Sequence, residues 1–272
     1  MRAEFSFTQL LSVPVYSIAL AEPAHVAVLA DAPYVGDARG LLVIPLPPSL
    51  RPKADQRDEC RIFFGRDNEP RIMGTRYTND AEQPIYFRHT SSGWRDGREE
   101  LGQLASASRG GLWGVLGADD PELVCRAGSV CIIKRASGWT TAPAGATRRS
   151  VVLQAGTLWG LDDSGLANID AHGWTLAIPG PAWTRPTAFW ATKEQAWVAA
   201  SQKLFHYRAG SWSELSAPIA GPRAFWGVSS DSVWLVGAGG AAHFDGKSWH
   251  LLSLSGPLEV VAGRAKGELW FG

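Results

Sequence analysis

Three arginines carry the strongest hint of chemistry in this chain. Arg149, Arg185 and Arg223 stand 10, 12 and 11 residues ahead of Trp159, Trp197 and Trp234. A guanidinium grips a planar anion through two parallel hydrogen bonds, so three of them delivered to one place would bind a carboxylate, a phosphate or an acidic peptide. Glu259 holds the corresponding place 11 residues before Trp270, which makes the set mixed in sign. The plainer reading is a scatter of rim charges that keeps one surface soluble. Asp119 and Asp120, with Glu122, form the densest acidic group. A solvated loop explains them, with a carboxylate or Ca²⁺ site as the alternative. Trp183, two residues before Arg185, is an aromatic that could stack on a sugar.

Little else points to catalysis. The six histidines, at 24, 89, 172, 206, 243 and 250, include no i, i+4 pair and no Cys or carboxylate at metal-ligand spacing, so structural or solvent-facing roles are expected. The glycines mark turns, with no phosphate loop and no serine elbow among them. No cofactor and no metal is expected.

Composition narrows the class. The 272 residues are 45% hydrophobic, enough for one large all-β domain or two ordinary ones. Lys plus Arg number 26 and Asp plus Glu 26, so no basic field exists to drive binding to nucleic acid or an anionic membrane. No run approaches the ~18 apolar residues that cross a bilayer, and a soluble chain is expected. Three cysteines suit a reducing, cytoplasmic compartment, with a secreted or periplasmic location as the alternative. Cys125 and Cys131 flank a Gly-containing turn symmetrically, where they could face each other across a hairpin. Residues 10 to 21, LLSVPVYSIALA, imitate a signal peptide, yet Glu4 and Pro14 spoil the pattern and the repeats give this stretch a structural role.

The elements that must position these residues repeat. LWGLDDSGLANIDAHGW (158 to 174), AWVAASQKLFHYRAGSW (196 to 212) and VWLVGAGGAAHFDGKSW (233 to 249) share one outline: Trp, a small-residue turn, a short apolar strand, a second turn, Trp. One ladder runs Trp113, Trp159, Trp197, Trp234, Trp270 at spacings of 46, 38, 37 and 36; another runs Trp94, Trp139, Trp174, Trp212, Trp249. Trp190 and Trp226 begin a third. Between anchors the chain alternates apolar and polar over four to seven residues, the period of strands. Four short strands in about 37 residues is the arithmetic of a propeller blade, a sheet too small to bury its faces without stacking on neighbours. The indoles then serve as wedges between blades.

Counted back from the clearest unit, blades cover 219 to 257, 181 to 218, 145 to 180 and 104 to 144. A degenerate one precedes them, with Met73 in place of the first Trp, and three strands of another lie earlier. The Pro-rich stretch 44 to 58 is an irregular blade edge or a surface excursion. After Pro257 only two strands remain. Residues 9 to 14, QLLSVP, match the blade endings SELSAP and HLLSLSGP, so residues 1–14 are expected to supply the outer strands of a last blade whose inner strands are 258–272. The expectation is an all-β, seven-bladed β-propeller in one domain, 1–272, its ring closed where the termini share a sheet; six blades is the alternative.

The Trp, Gly-rich turn and FDGKSW pattern resembles the repeats of two-component-regulator-type propellers and, more loosely, the Asp-box repeats of sialidase-like propellers. The likeness covers residues 104 to 272 well. It departs in the turn Asp, present only as Asp245 and directly adjoining Gly246. In either family that Asp would serve turn geometry. A rigid ring with variable loops and no catalytic constellation points to a non-catalytic module or scaffold that binds a protein or peptide partner through one face of the ring, alone or within a complex. A glycan-binding propeller and a sialidase-like hydrolase are the alternatives.

Overall fold

A computed structural model of the chain describes residues 17–21, 25–30, 32–37, 39–64, 69–79, 81–99, 112–115, 122–126, 131–135, 138–142, 150–154, 157–170, 173–252, 254, 256–263 and 268–272. They fold into antiparallel strands, and no α-helix occurs among them. The first sheet is β1 (Ser17–Ala21), β2 (His25–Leu29), β3 (Pro33–Asp37) and β4 (Gly40–Val43), in that order. The second is β5 (Arg57–Phe64), β6 (Pro70–Tyr77), β7 (Glu82–Thr90) and β8 (Gly93–Asp96). The third is β9 (Leu112–Val115), β10 (Glu122–Arg126), β11 (Cys131–Arg135) and β12 (Gly138–Ala142). The fourth is β13 (Ser150–Gln154), β14 (Thr157–Asp162), β15 (Gly165–Asp170) and β16 (Gly173–Pro179). The fifth is β17 (Pro186–Ala191), β18 (Gln195–Ala200), β19 (Lys203–Arg208) and β20 (Ser211–Ser216). The sixth is β21 (Pro222–Ser229), β22 (Ser232–Gly237), β23 (Gly240–Phe244) and β24 (Trp249–Leu252), and a last pair is β25 (Val261–Gly263) with β26 (Leu269–Phe271).

The sheets stack around a common centre. Each first strand touches the next, from β1 to β5, β9, β13, β17, β21 and β25, and β25 touches β1. This is a β-propeller, as the repeats predict. The core lies between sheets. Trp159, Leu161, Phe189 and Val198 fill the gap between the fourth and fifth, while Trp190, Trp197, Val233 and Leu235 fill the next. Trp270 and Val260 of the last pair pack with Val28 and Ala30 of the first sheet. Trp159, Trp190 and Trp197 are each 1% exposed, and an indole burying about 150–250 Å² contributes roughly 4–6 kcal/mol of apolar transfer, an upper figure set by an extended unfolded chain. Their polar handles are also used: the Trp190 indole donates to the Gly227 carbonyl at 3.0 Å, Trp212 to Pro179 at 2.7 Å and Trp94 to Ile44 at 2.7 Å. Close packing also fixes Gly165, whose φ is +141° and where an added Cβ would lie 2.3 Å from the Ile178 carbonyl oxygen.

Two ladder assignments need correction. Trp113 lies in β9, the first strand of its sheet, whereas Trp159, Trp197 and Trp234 lie in second strands. It belongs with Trp190 and Trp226, 77 residues or two repeats before Trp190, which explains the anomalous spacing of 46. Met73 is buried at 1% exposure, but the register gives the Trp place to Arg71. Trp212 pairs Tyr207, whose predecessor His206 pairs Trp197; likewise Trp94 pairs His89, whose predecessor Arg88 pairs Arg71. The longer β6–β7 hairpin hides this in the sequence. Arg71 is 2% exposed and donates to the Tyr86 hydroxyl at 3.1 Å.

Residues 44 to 56 form no strand and are an excursion over the second sheet, with Ile44, Leu46 and Leu50 packed on its core. The Leu50 carbonyl accepts a hydrogen bond from the Arg76 guanidinium, which also pairs Asp58 at 2.7 Å. The expected outer strands at 1–14 lie outside the described residues.

Candidate functional site

The connections into the first strands and the turns between second and third strands share one face of the ring. Register sorts the charges there. Ser150, Ala224 and Val260 stand opposite Leu161, Val236 and Gly272, each two residues past its Trp, so Arg149, Arg223 and Glu259 occupy equivalent places in the chain. In the fifth sheet Ala188 pairs Ala199, which gives that place to Thr187, because a bulge separates Pro186 from Ala188. Arg185 is therefore not equivalent to the others. It lies in the connection before β17 at φ +50°, exposed. Arg223 forms an ion pair with Glu259 of the last pair, both side chains about half exposed, at 46% and 40%. A pair this open to water contributes at most ~1 kcal/mol, but it does remove Arg223 from the pool of free guanidiniums. Convergence of three arginines is not what the described residues show; Arg149, Asp119 and Asp120 lie outside them.

Beside Arg185 the face is built from a tight hairpin. Ser201 and Gln202 turn β18 into β19 with φ of +48° and +70°, left-handed values that non-glycine residues adopt at a cost of order 1 kcal/mol each. The Gln202 side-chain oxygen accepts from the Gly221 amide at 3.2 Å, and the Ser201 hydroxyl donates to the Thr184 carbonyl at 3.0 Å. These bonds tie the turn to the connections before β17 and β21, so Arg185, Gln202 and Arg223 sit on one rigid strip.

Trp183 does not serve as a sugar platform. It is 5% exposed, meets Phe205 and Trp212 edge-on with centroids 5.7 and 5.0 Å away, and donates its indole N–H to the Asp162 carbonyl at 3.2 Å. The sequence shows an aromatic beside an arginine; it does not show that the chain turns the indole inward.

Of the described histidines, two stack on tryptophans of the repeats. His206 stacks flat on Trp197, with centroids 3.8 Å apart and planes 3° apart, and its Nε2 lies 2.6 Å from the Gln195 amide nitrogen. Burial, aided by the Arg208 charge, lowers its pKa to about 4. His243 repeats the arrangement on Trp234 at 4.3 Å, and burial lowers its pKa against the opposing pull of Asp245. On the opposite rim Ser248, His250 and Asp245 come together, but His250 makes both contacts through Nε2, at 3.2 and 2.7 Å. A relay needs one ring nitrogen for the acid and the other for the nucleophile, so this is no catalytic triad. Asp245 accepts the Ser248 and Lys247 amides at 2.8 and 2.9 Å, the turn role expected of it. The Ser248 amide, then His250, hold its carboxyl well below the usual range. No cluster of metal-ligating residues occurs among the described residues.

One feature escapes the sequence entirely: a cleft of about 450 Å³ between β3 and β4 of the first sheet and the Phe64, Pro70 and His89 ends of β5, β6 and β7 in the second, with Asp37 and His89 in its lining.

No known family profile matches the chain, and no curated protein matches it. Solved structures do. A structure of YCF48 bound to a D1 peptide is similar over 86% of this chain and 79% of its own, with 15% identity and a TM-score of 0.53. The extracellular domain of a hybrid two-component system from B. thetaiotaomicron is similar over 95% of this chain, at 12% identity and a TM-score of 0.52. The chain spans 38% of that second protein's length. At such identities the likeness shows the propeller fold and nothing finer.

Proposed function

We propose that the chain is a non-catalytic interaction module, a seven-bladed propeller closed by residues 1–14, which binds a protein or peptide partner through the face that carries Arg185, Gln202 and Arg223. One observation carries this reading: the described indoles are committed to packing between sheets, while this face presents an exposed guanidinium beside a strained, hydrogen-bonded turn. Strain of this kind persists where surrounding structure fixes it, and binding surfaces are a common setting. The similar structure of YCF48 with its peptide supports a peptide ligand. The glycan reading loses Trp183, the aromatic on which it rested. The cytoplasmic expectation gains no support from the fold, since one of the similar structures is an extracellular domain; in the described residues, no helix is long and apolar enough to cross a membrane.

Affinity capture with the immobilised chain tests the face. Arg185→Glu with Arg223→Glu should weaken capture of the specific partner at least tenfold, while Lys247→Glu on the opposite rim leaves it unchanged. The reverse pattern overturns the assignment.

A further inference from the structure

The outer strand β4 carries no charge, as is also true of the outermost strands β12 (GWTTA) and β16 (GWTLAIP). β8 carries Arg95 and Asp96, β20 carries Glu214 in an ion pair with Lys203, and β24 carries His250; β4 reads Gly-Leu-Leu-Val, with Leu42 74% and Val43 49% exposed. Folded proteins protect open edges with charge, so an uncharged apolar edge is an invitation to a further strand. Its backbone is oriented for one. The Ile44 amide bonds the Pro33 carbonyl, and alternation along the β3–β4 ladder then turns Leu42 inward and leaves the amides and carbonyls of Leu41 and Val43 facing out.

Next to this edge lies the 450 Å³ cleft, large enough for one or two side chains. Val35 and Leu42 pair in the register, as do Asp37 and Gly40, so all four lie on the face of the first sheet that meets Phe64, Pro70 and His89 of the second. Gly40 lines the gap, and a Cβ built there meets nothing within 4 Å, so a larger side chain has room at this position. Asp37 gives the cleft its sign. Its Oδ1 accepts the Arg39 amide at 2.8 Å, and its other oxygen has no partner among the described residues.

We infer that this cleft and the β4 edge together form a binding site for an extended peptide carrying an apolar residue and, two positions along, a lysine or arginine. The peptide would add a fifth strand by bonding Leu41 and Val43. Residues two apart on a strand share a face, so the apolar side chain enters the cleft while the cation reaches Asp37. The inference rests on the peptide-binding reading above but uses a different surface, at the β4 edge of the first sheet.

The test uses a fluorescent nonapeptide of threonines with Leu at its fifth and Lys at its seventh position, and a control with Glu for that Lys. Polarisation should show the Lys peptide binding at least tenfold tighter than the Glu control. Gly40→Leu should weaken it at least tenfold and Asp37→Asn at least threefold, with unchanged melting, because Gly40 has open space and Asn preserves the turn. Equal binding by Gly40→Leu, or by the Glu control, overturns the site. Self-association abolished by Leu42→Lys would make the occupant a second copy and also overturns it. Partner capture that responds to Arg185→Glu with Arg223→Glu but not to Gly40→Leu removes this inference and leaves the ring-face reading standing.

Discussion

Acid should loosen the ring at the stack of His206 on Trp197, and the size of the effect follows from the structure. Above pH 6.5 the imidazole is neutral in both folded and unfolded chains, so its titration changes nothing. As pH falls below 6.5 the unfolded chain takes up a proton that the folded chain refuses until about pH 4, and stability declines across that window. A difference of about 2.5 pH units at 1.36 kcal/mol each sets a ceiling near 3.4 kcal/mol. Part of the ring reaches solvent, which screens the penalty, so about 1–2 kcal/mol is expected. The contact with the Gln195 amide nitrogen, 2.6 Å from Nε2, favours the same neutral form. Urea unfolding at pH 7.5, 5.5 and 4 would be compared for the wild type and His206→Phe, which keeps an aromatic on Trp197 but cannot titrate. The variant is less stable at pH 7.5, because Gln195 is 7% exposed and loses its partner. Its deficit should shrink by about 1–2 kcal/mol by pH 4. A deficit constant across the three pH values would refute the reasoning, since carboxylates and His243 titrate in both proteins.

Two further outcomes follow from packing and register. Trp183→Ala should cost about 3–5 kcal/mol by opening a cavity beside Phe205 and Trp212, seen in chemical denaturation; a loss below ~1 kcal/mol would contradict its burial. Cys125 stands directly opposite Cys131 across β10 and β11, so purification from an oxidising compartment should leave one titratable thiol per chain in denaturant and reduced protein three; three thiols in both would exclude the bridge.

The repeats were legible because the indoles do a fold-level job. Tryptophan is rare enough that its spacing survives variation in everything between, and the unit boundaries read from it coincide with the fourth, fifth and sixth sheets. Where hairpin length changes, spacing misleads: the long β6–β7 turn displaces the Trp equivalent from Met73 to Arg71, and an extended connection puts Trp113 one strand early. The surface was harder to read. Arg185 and Arg223 look alike in sequence, yet a bulge after Pro186 moves one out of line and Glu259 pairs the other. The cleft left no signal at all, since it exists only once the second sheet is placed opposite the first.

Closure of the ring is the claim on which the rest depends, and amide exchange at β26 tests it most directly. The bonds between Val260 and Gly272 fix the alternation of the last pair, so the Leu269 and Phe271 amides point away from β25 toward the place assigned to residues 1–14. The account predicts that both amides exchange as slowly as those of β22 in the full chain, and become fast once residues 2–14 are deleted. Rapid exchange at Leu269 and Phe271 in the intact protein would contradict it.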